Sequence, residues 1–395
     1  FASSGAGYLA NVSQGIDQLL TKGGSLSIGT FVDVLGASGS TVNVSGGYVA
    51  FTGATISTTR LVGSDGRIYA IGSADPSISY SGIAGQFTVD HAHWGVTDTY
   101  ISPLSSRGYY KSGYIDGVSA GSISVTAVNP VLEGAIVGDI VVGDVQRTLA
   151  QAATGSNGAQ ATPDQLPSGA ALAINLVRAN SSSRPDAVVL DSTAPDYLGA
   201  DFTLGSNLKL DNTGSAANPQ DAITYSTSAL SAANLGSISI KGASTLSMAE
   251  GASLSVLSGG SITLAGVTTI DGALIAHAGK IALTGDVPLP QAGAPPTAAV
   301  TIGADALLDV SGLWVNDTGL TGDAAQGYAY INGGAVSITT TSESTYKTVG
   351  STSNGNPVAN ATDATQSIVL AKGSVIDLSS GGYVSSAGKI KTGSA

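Results

Sequence analysis

The chain has 395 residues, with 54 glycines, no cysteine, one methionine, five phenylalanines and only 11% charged residues. A formal net charge of −12 and a sequence pI near 4.4 argue against a nucleic-acid footprint or a polybasic membrane patch, both of which need clustered cations. The lack of cysteine excludes disulfide scaffolds and thiolate metal sites, and a chain that is 42% apolar with positive mean hydropathy is too apolar for disorder.

The chain opens at Phe1 with neither a start Met nor a secretory signal pattern, so it reads as an excised or mature piece of something longer. Residues 1–22 read as an N-terminal helix or cap. Leu9, Val12, Ile16, Leu19 and Leu20 recur at helical period, and Gly23-Gly24 stop the pattern. Such a helix either covers the open end of a stack or acts as a linker.

From residue 23 the period changes to two. Gly24-Ser25-Leu26-Ser27-Ile28, Gly121-Ser122-Ile123-Ser124-Val125, Gly236-Ser237-Ile238-Ser239-Ile240 and Gly260-Ser261-Ile262-Thr263-Leu264 are copies of one short strand, and Ala335-Val336-Ser337-Ile338 is a looser one. Residues two apart in a strand share a face, so Ile238 and Ile240 point one way and Ser237 and Ser239 the other. Gly at the start of each suits a sharp turn with φ > 0. Ile238, Ile262 and Ile281 recur about every twenty residues, the scale of one solenoid turn.

A second repeat reads apolar, Asp/Asn, apolar, Ser, Gly, then aromatic-Val. It occurs as Val42-Asn43-Val44-Ser45-Gly46-Gly47-Tyr48-Val49, as Leu308-Asp309-Val310-Ser311-Gly312-Leu313-Trp314-Val315, and as Ile376-Asp377-Leu378-Ser379-Ser380-Gly381-Gly382-Tyr383-Val384. Val44, Val310 and Leu378 are its inward aliphatics, followed by a small-residue corner.

Antiparallel sandwiches and barrels need Asn-Gly or Asp-Gly hairpin turns, which are few. Doubly wound α/β folds need amphipathic helices between strands, and none is persuasive after residue 22. The expected fold is therefore all-β, a parallel β-helix (solenoid) with loop excursions and one N-terminal amphipathic helix. Residues 23–145 and 201–395 form its coils. Residues 146–200 form an extra-coil insertion holding Gly155, Gly158, Pro163, Pro167, Pro185 and Pro195, with a short helix near Leu172–Val177. Smaller excursions are expected near 286–297 and 340–365, because core strands do not tolerate dense proline.

The most specific stretch is Thr58-Thr59-Arg60-Leu61-Val62-Gly63-Ser64-Asp65-Gly66-Arg67-Ile68-Tyr69, continued by Ala74-Asp75-Pro76. It is followed by Gly82-Ile83-Ala84-Gly85-Gln86-Phe87-Thr88-Val89-Asp90-His91-Ala92-His93-Trp94-Gly95-Val96. Together with the Val-Ser-Gly-Gly-Tyr-Val unit before it, this resembles a conserved domain of unknown function in filamentous-haemagglutinin-type exoproteins, the two-partner-secretion family. The resemblance is detailed over about residues 30 to 115 and is general Gly/Ser/Val character beyond. It implies a giant chain, passed through an outer-membrane transporter and folded outside a Gram-negative cell into a right-handed parallel β-helix. It also implies an extracellular or cell-surface location and a role in adhesion, biofilm or toxin delivery. The implied partners are other copies of the chain or cell-surface and matrix components; the acidic charge speaks against nucleic acid, and the lack of an apolar run of about eighteen residues against membrane insertion. The domain has no assigned activity, so the resemblance transfers no catalytic residue.

Candidate chemistry is thin. Gly117-Val118-Ser119-Ala120-Gly121 matches the nucleophile-elbow pattern, but a strand follows where a helix is needed, and the only downstream histidine is His277. His91 and His93 share a strand face and are the best candidate metal ligands, although no third ligand is visible. Asp305 with Asp309, or Asp139 with Asp144, are candidate carboxylate pairs for sugar cleavage; lone aspartates are commoner as turn formers. The glycines at Gly5 and Gly7 lack the βαβ context of a dinucleotide site, and the calcium-binding glycine repeat is absent. The expectation is a non-enzymatic protein with no cofactor, acting in adhesion or biofilm. The alternatives are a self-assembling filament or sheath subunit and a polysaccharide-active β-helix enzyme.

Overall fold

The computed structural model describes residues 22–56, 60–70, 74–75, 77–84, 86–101, 109–147, 166–177, 187–199, 202–205, 208, 210–212, 221–285, 298–340 and 368–394. Over these residues the chain is all-β, mostly strand with very few helices, and its main feature is a large parallel sheet. It divides into two compact units, Phe1–Val49 with Asp116–Ala395, and Ala50–Ile115.

In the larger unit the serine-alternating runs pair parallel and in chain order. Ser25–Gly29, Ser122–Ala127, Ala170–Leu176, Leu235–Lys241, the first half of Ser261–Ile270, Lys280–Gly285 and Ala335–Thr340 form one row. The register places Leu26, Ile123, Leu172, Ile238, Ile262, Ile281 and Val336 side by side in one apolar column, and Ile28, Val125, Ile174, Ile240, Leu264, Leu283 and Ile338 in a second two residues on. Fully burying one such side chain contributes about 1.5–3 kcal/mol, and a one-residue slip would turn the whole set to solvent.

Two further rows accompany the first. In the second, Ala187–Asp191 pairs parallel with both Asp221–Ser226 and Thr245–Met248. The second half of Ser261–Ile270, Val300–Ile302 and Ile368–Leu370 follow. In the third, Ser253–Ser255, Ala273–Ile275, Leu307–Asp309 and Val375–Asp377 pair in succession, and Thr41–Asn43 pairs with Ala135–Val137. From Leu235 onward the chain visits first, second and third row in that order each time. Gly266, at φ 146°, lets one strand run from the first row into the second.

The strand-starting glycines serve a purpose other than the expected positive φ. A Cβ on Gly121 would lie 1.8 Å from the Gly24 carbonyl oxygen, on Gly260 2.3 Å from that of Gly236, on Gly279 2.1 Å from that of Gly260, and on Gly334 2.2 Å from that of Gly279. Each glycine leaves room for the backbone of the preceding repeat, and any side chain there would force the strands apart.

Among the described residues the third row is broken once. Between Ala135–Val137 and Ser253–Ser255 the chain forms a short helix, α1 (Thr227–Ala232), instead of a strand. Ser226 caps it through its hydroxyl, which accepts from Ala229 N at 3.2 Å, and Thr227 and Leu230 are its buried residues. At six residues α1 is too short to persist alone, so packing holds it.

Two expectations are corrected. Residues 146–200 are not wholly outside the rows, since Ala170–Leu176 and Ala187–Asp191 are core strands and Leu172–Val177 is not a helix. Leu172, Ile174 and Leu176 alternate with smaller residues, and Pro167 precedes the strand, where no ladder N–H is required. Residues 50–115, expected as part of the coils 23–145, are largely antiparallel. Arg60–Gly63 pairs with Ile68–Ala70 and Tyr80–Ile83, and Gln86–His91 pairs with Val96–Ile101. Gly66 at φ 78° and Gly95 at φ 65° supply the left-handed positions such tight turns need. The helix expected over 1–22 and the excursions at 286–297 and 340–365 lie outside the described residues, apart from Lys22 and Thr340.

Candidate binding cleft

Where α1 replaces a strand, a cleft of about 810 Å³ opens, walled by residues 131–137, 192–197, 223–226 and α1. Among the described residues Ala135–Val137 pairs on one side only. Ala135 N donates to Ser40 O at 2.8 Å and Val137 O accepts from Val44 N at 2.9 Å. Alternate residues of a strand direct their backbone groups to opposite sides, so Ile136 N–H and C=O face the cleft. Gly138 N, on that same side, already donates to Ala233 O at the end of α1, at 3.1 Å.

The charges of the cleft are one-sided. Glu133 Oε1 accepts from Tyr197 N at 2.5 Å and Leu198 N at 3.0 Å, which fixes the carboxylate. Its Oε2 is closed off from water and has no hydrogen-bond partner among the described residues. Asp196 stands at the exposed rim, and no Lys, Arg or His is among the described lining residues. Beneath, Tyr197 Oη accepts from Thr224 N at 2.9 Å and Tyr225 Oη donates to Pro130 O at 2.7 Å. Burial foremost, and Tyr197 beside it, push the Tyr225 phenol well above its ordinary range.

The repeat residues named from sequence have plain positions. Ile238, Ile262 and Ile281 are adjacent in register and fully buried, and Val44 and Val310 are also buried, whereas Leu378 is 41% exposed. The second repeat builds the same turn three times. Asn43 Oδ1 accepts from Ser45 N at 2.9 Å, Asp309 Oδ1 from Ser311 N at 2.8 Å, and Asp377 Oδ1 from Ser379 N at 2.9 Å. The Ser379 hydroxyl and N–H, with His277 nearby, hold the Asp377 carboxyl below its usual range.

The candidate chemical residues do not assemble. His91 Nε2 lies 3.3 Å from Asp98 Oδ2 and its ring 5.8 Å from that of Trp94, while the His93 and Trp94 rings are 6.4 Å apart. No group of three potential ligands converges among the described residues. Asp139 accepts from Asn234 Nδ2 at 2.7 Å, Asp144 accepts from Val145 N at 2.8 Å, and Asp305 is exposed in a turn. Ser311 Oγ at 3.4 Å and Asp309 Oδ1 at 3.7 Å both approach Nδ1 of His277, so the ring cannot relay a proton between them as a triad requires. Ser119 Oγ accepts from Ser168 N at 3.0 Å, and Gly121 leads directly into a strand; the nucleophile-elbow geometry is absent.

Sequence reasoning missed Glu133, the gap at Ile136 and the buried Asp317. The last clamps a loop by accepting from Gln326 N at 3.1 Å and Gly327 N at 2.8 Å. The only signal for the cleft was Ser226, a cap residue before a run of small and apolar residues. No helix among the described residues is long and apolar enough to cross a membrane. No protein-family model, curated protein or solved structure matches the chain.

Proposed function

We propose that this chain is a non-catalytic segment of a right-handed parallel β-helix from a filamentous-haemagglutinin-type exoprotein, acting in adhesion or biofilm at the surface of a Gram-negative cell. The in-register succession of the first row, from Ser25–Gly29 to Ala335–Thr340, carries this reading. Strands stacked about 4.8 Å apart make a stiff spacer, and segments leaving the stack are free to meet partners. Those partners are cell-surface or matrix components, with an outer-membrane transporter serving export. Deleting the gene should reduce attachment and biofilm mass several-fold at unchanged growth, with recovery on complementation. Unchanged attachment would refute the adhesive role.

One observation favours a self-assembling filament as a second reading. Among the described residues Ala335–Thr340, Ile368–Leu370 and Val375–Asp377 each pair on one side only, and Leu370 and Val375 are at least half exposed. An apolar edge of this kind takes up a further strand, whether supplied by the same chain or by another copy. Sedimentation of the purified chain should then show concentration-dependent oligomers that Leu370→Lys disperses.

A further inference from the structure

We infer that the cleft beside α1 captures an extended peptide carrying a basic side chain, which occupies the place of the missing third-row strand. The backbone supplies the first half of the argument. Ile136 offers an N–H and a C=O together on the cleft side of a strand whose other side is fully used, the arrangement by which a sheet edge accepts an added strand. On one flank Gly138 is already bonded to Ala233. On the far side of the gap Ser231 Oγ accepts from Ser255 N at 2.9 Å, so α1 satisfies the opposite edge and leaves the Ile136 side open. The cleft volume of about 810 Å³ falls within the roughly 300–1,000 Å³ of ligand sites.

Electrostatics supplies the second half. Glu133, three residues before Ile136, is fixed by two backbone N–H groups with Oε2 uncompensated, and Asp196 adds a second negative charge at the rim. With no cation in the described wall, the field in this low-dielectric cleft favours a positive group. Val131, Ile223 and Leu230 in the same wall suit the apolar side chains that alternate along an extended segment. Peptide capture here is independent of any adhesive role.

The probe is a set of fluorescein-labelled heptapeptides of alternating valine and threonine, with one central lysine, norleucine or glutamate, titrated against the full chain by fluorescence anisotropy. The lysine peptide should bind saturably, and the norleucine and glutamate peptides at least tenfold more weakly. Glu133→Gln keeps an oxygen for the Tyr197 and Leu198 N–H groups, so it should erase the lysine preference without lowering the melting temperature. Should Glu133→Gln unfold, the exposed Asp196→Asn decides, and it should reduce the preference severalfold. N-methylation should weaken binding at the one peptide N–H that reaches the Ile136 carbonyl and leave the other positions unchanged. Equal affinities for the three peptides, no binding at all, a lysine preference that survives both substitutions, an N-methyl series without effect, or displacement by butylamine alone would each overturn the inference.

Discussion

The two units are held together by different physics. In the larger one, strands distant in sequence pair in register, and the apolar columns through Ile238, Ile262 and Ile281 are wholly buried. In Ala50–Ile115, Tyr109–Lys111 pairs back to Ala54–Ile56 but the other paired strands join near neighbours in sequence, while Ile68, Trp94, Val96, Tyr100 and Tyr110 stay exposed. Its order comes from local polar turns. Asp65 Oδ2 accepts from Tyr69 Oη at 2.6 Å and its Oδ1 from Arg67 N at 3.1 Å, and Asp75 Oδ1 accepts from Ser77 N at 2.8 Å. Burial specifies the first unit and turn chemistry the second, so the same composition yields parallel or antiparallel pairing according to where the glycines and aspartates fall.

Substitutions can break that contrast. The largest effect is expected from Ile262→Asp, which strands a carboxylate in the column and should cost about 4 kcal/mol or more. Ser261→Asp, one residue away on the other face, should stay within about 0.5 kcal/mol. Similar losses in chemical denaturation would dismiss the inward and outward assignment. Gly279→Ala comes next, since its Cβ would lie 2.1 Å from a backbone oxygen, and about 3 kcal/mol is expected from overpacking that cannot relax. Gly66→Ala in the smaller unit meets open space at φ 78°, so only conformational strain of about 1–2 kcal/mol applies. If thermal melts rank these two the other way, close backbone approach is not what demands glycine in the larger unit.

Tyr225→Phe should cost about 1–2 kcal/mol, because it leaves the buried Pro130 carbonyl without its donor. The smallest effect is acid sensitivity in the smaller unit. The Tyr69 hydroxyl first, and the Arg67 N–H next, hold the Asp65 carboxyl below its ordinary value of 3.8. The folded value being depressed, its contribution is complete above that ordinary value and is lost as pH falls through the lower folded one. The Arg67 amide resonance should shift in that window, and Asp65→Asn should flatten the titration. A shift centred above pH 4 would mean that the clamp does not form.

Much of the larger unit was legible because its period-two alternation and its recurrence reinforce each other. The same signals in Ala170–Leu176 were overruled by nearby prolines, although Pro167 only precedes the strand and Leu172, Ile174 and Leu176 alternate as clearly as any copy. The hairpins of the smaller unit were hidden differently. Asp65-Gly66 is a hairpin signal, but it sat within a stretch whose resemblance to a β-helix family set the expectation. The cleft was illegible because it arises from a strand that is missing. No local pattern announces that the third row skips from Ala135–Val137 to Ser253–Ser255, and Glu133 matters only through Tyr197 and Leu198, far along the chain.

The glycine column also bears on how such a gene changes length. The surface that each of these glycines meets on the preceding repeat is another glycine carbonyl, the same chemical partner every time. A copying error that duplicates or drops one whole repeat therefore joins like to like. The new junction is as well fitted as the old, provided the reading frame and the serine alternation survive. An error of any other length puts a side chain where only 1.8–2.3 Å separates a Cβ from that backbone. Wherever a change in length is bounded by these glycines, the rod gains or loses reach in whole repeats with a glycine still set against a glycine carbonyl.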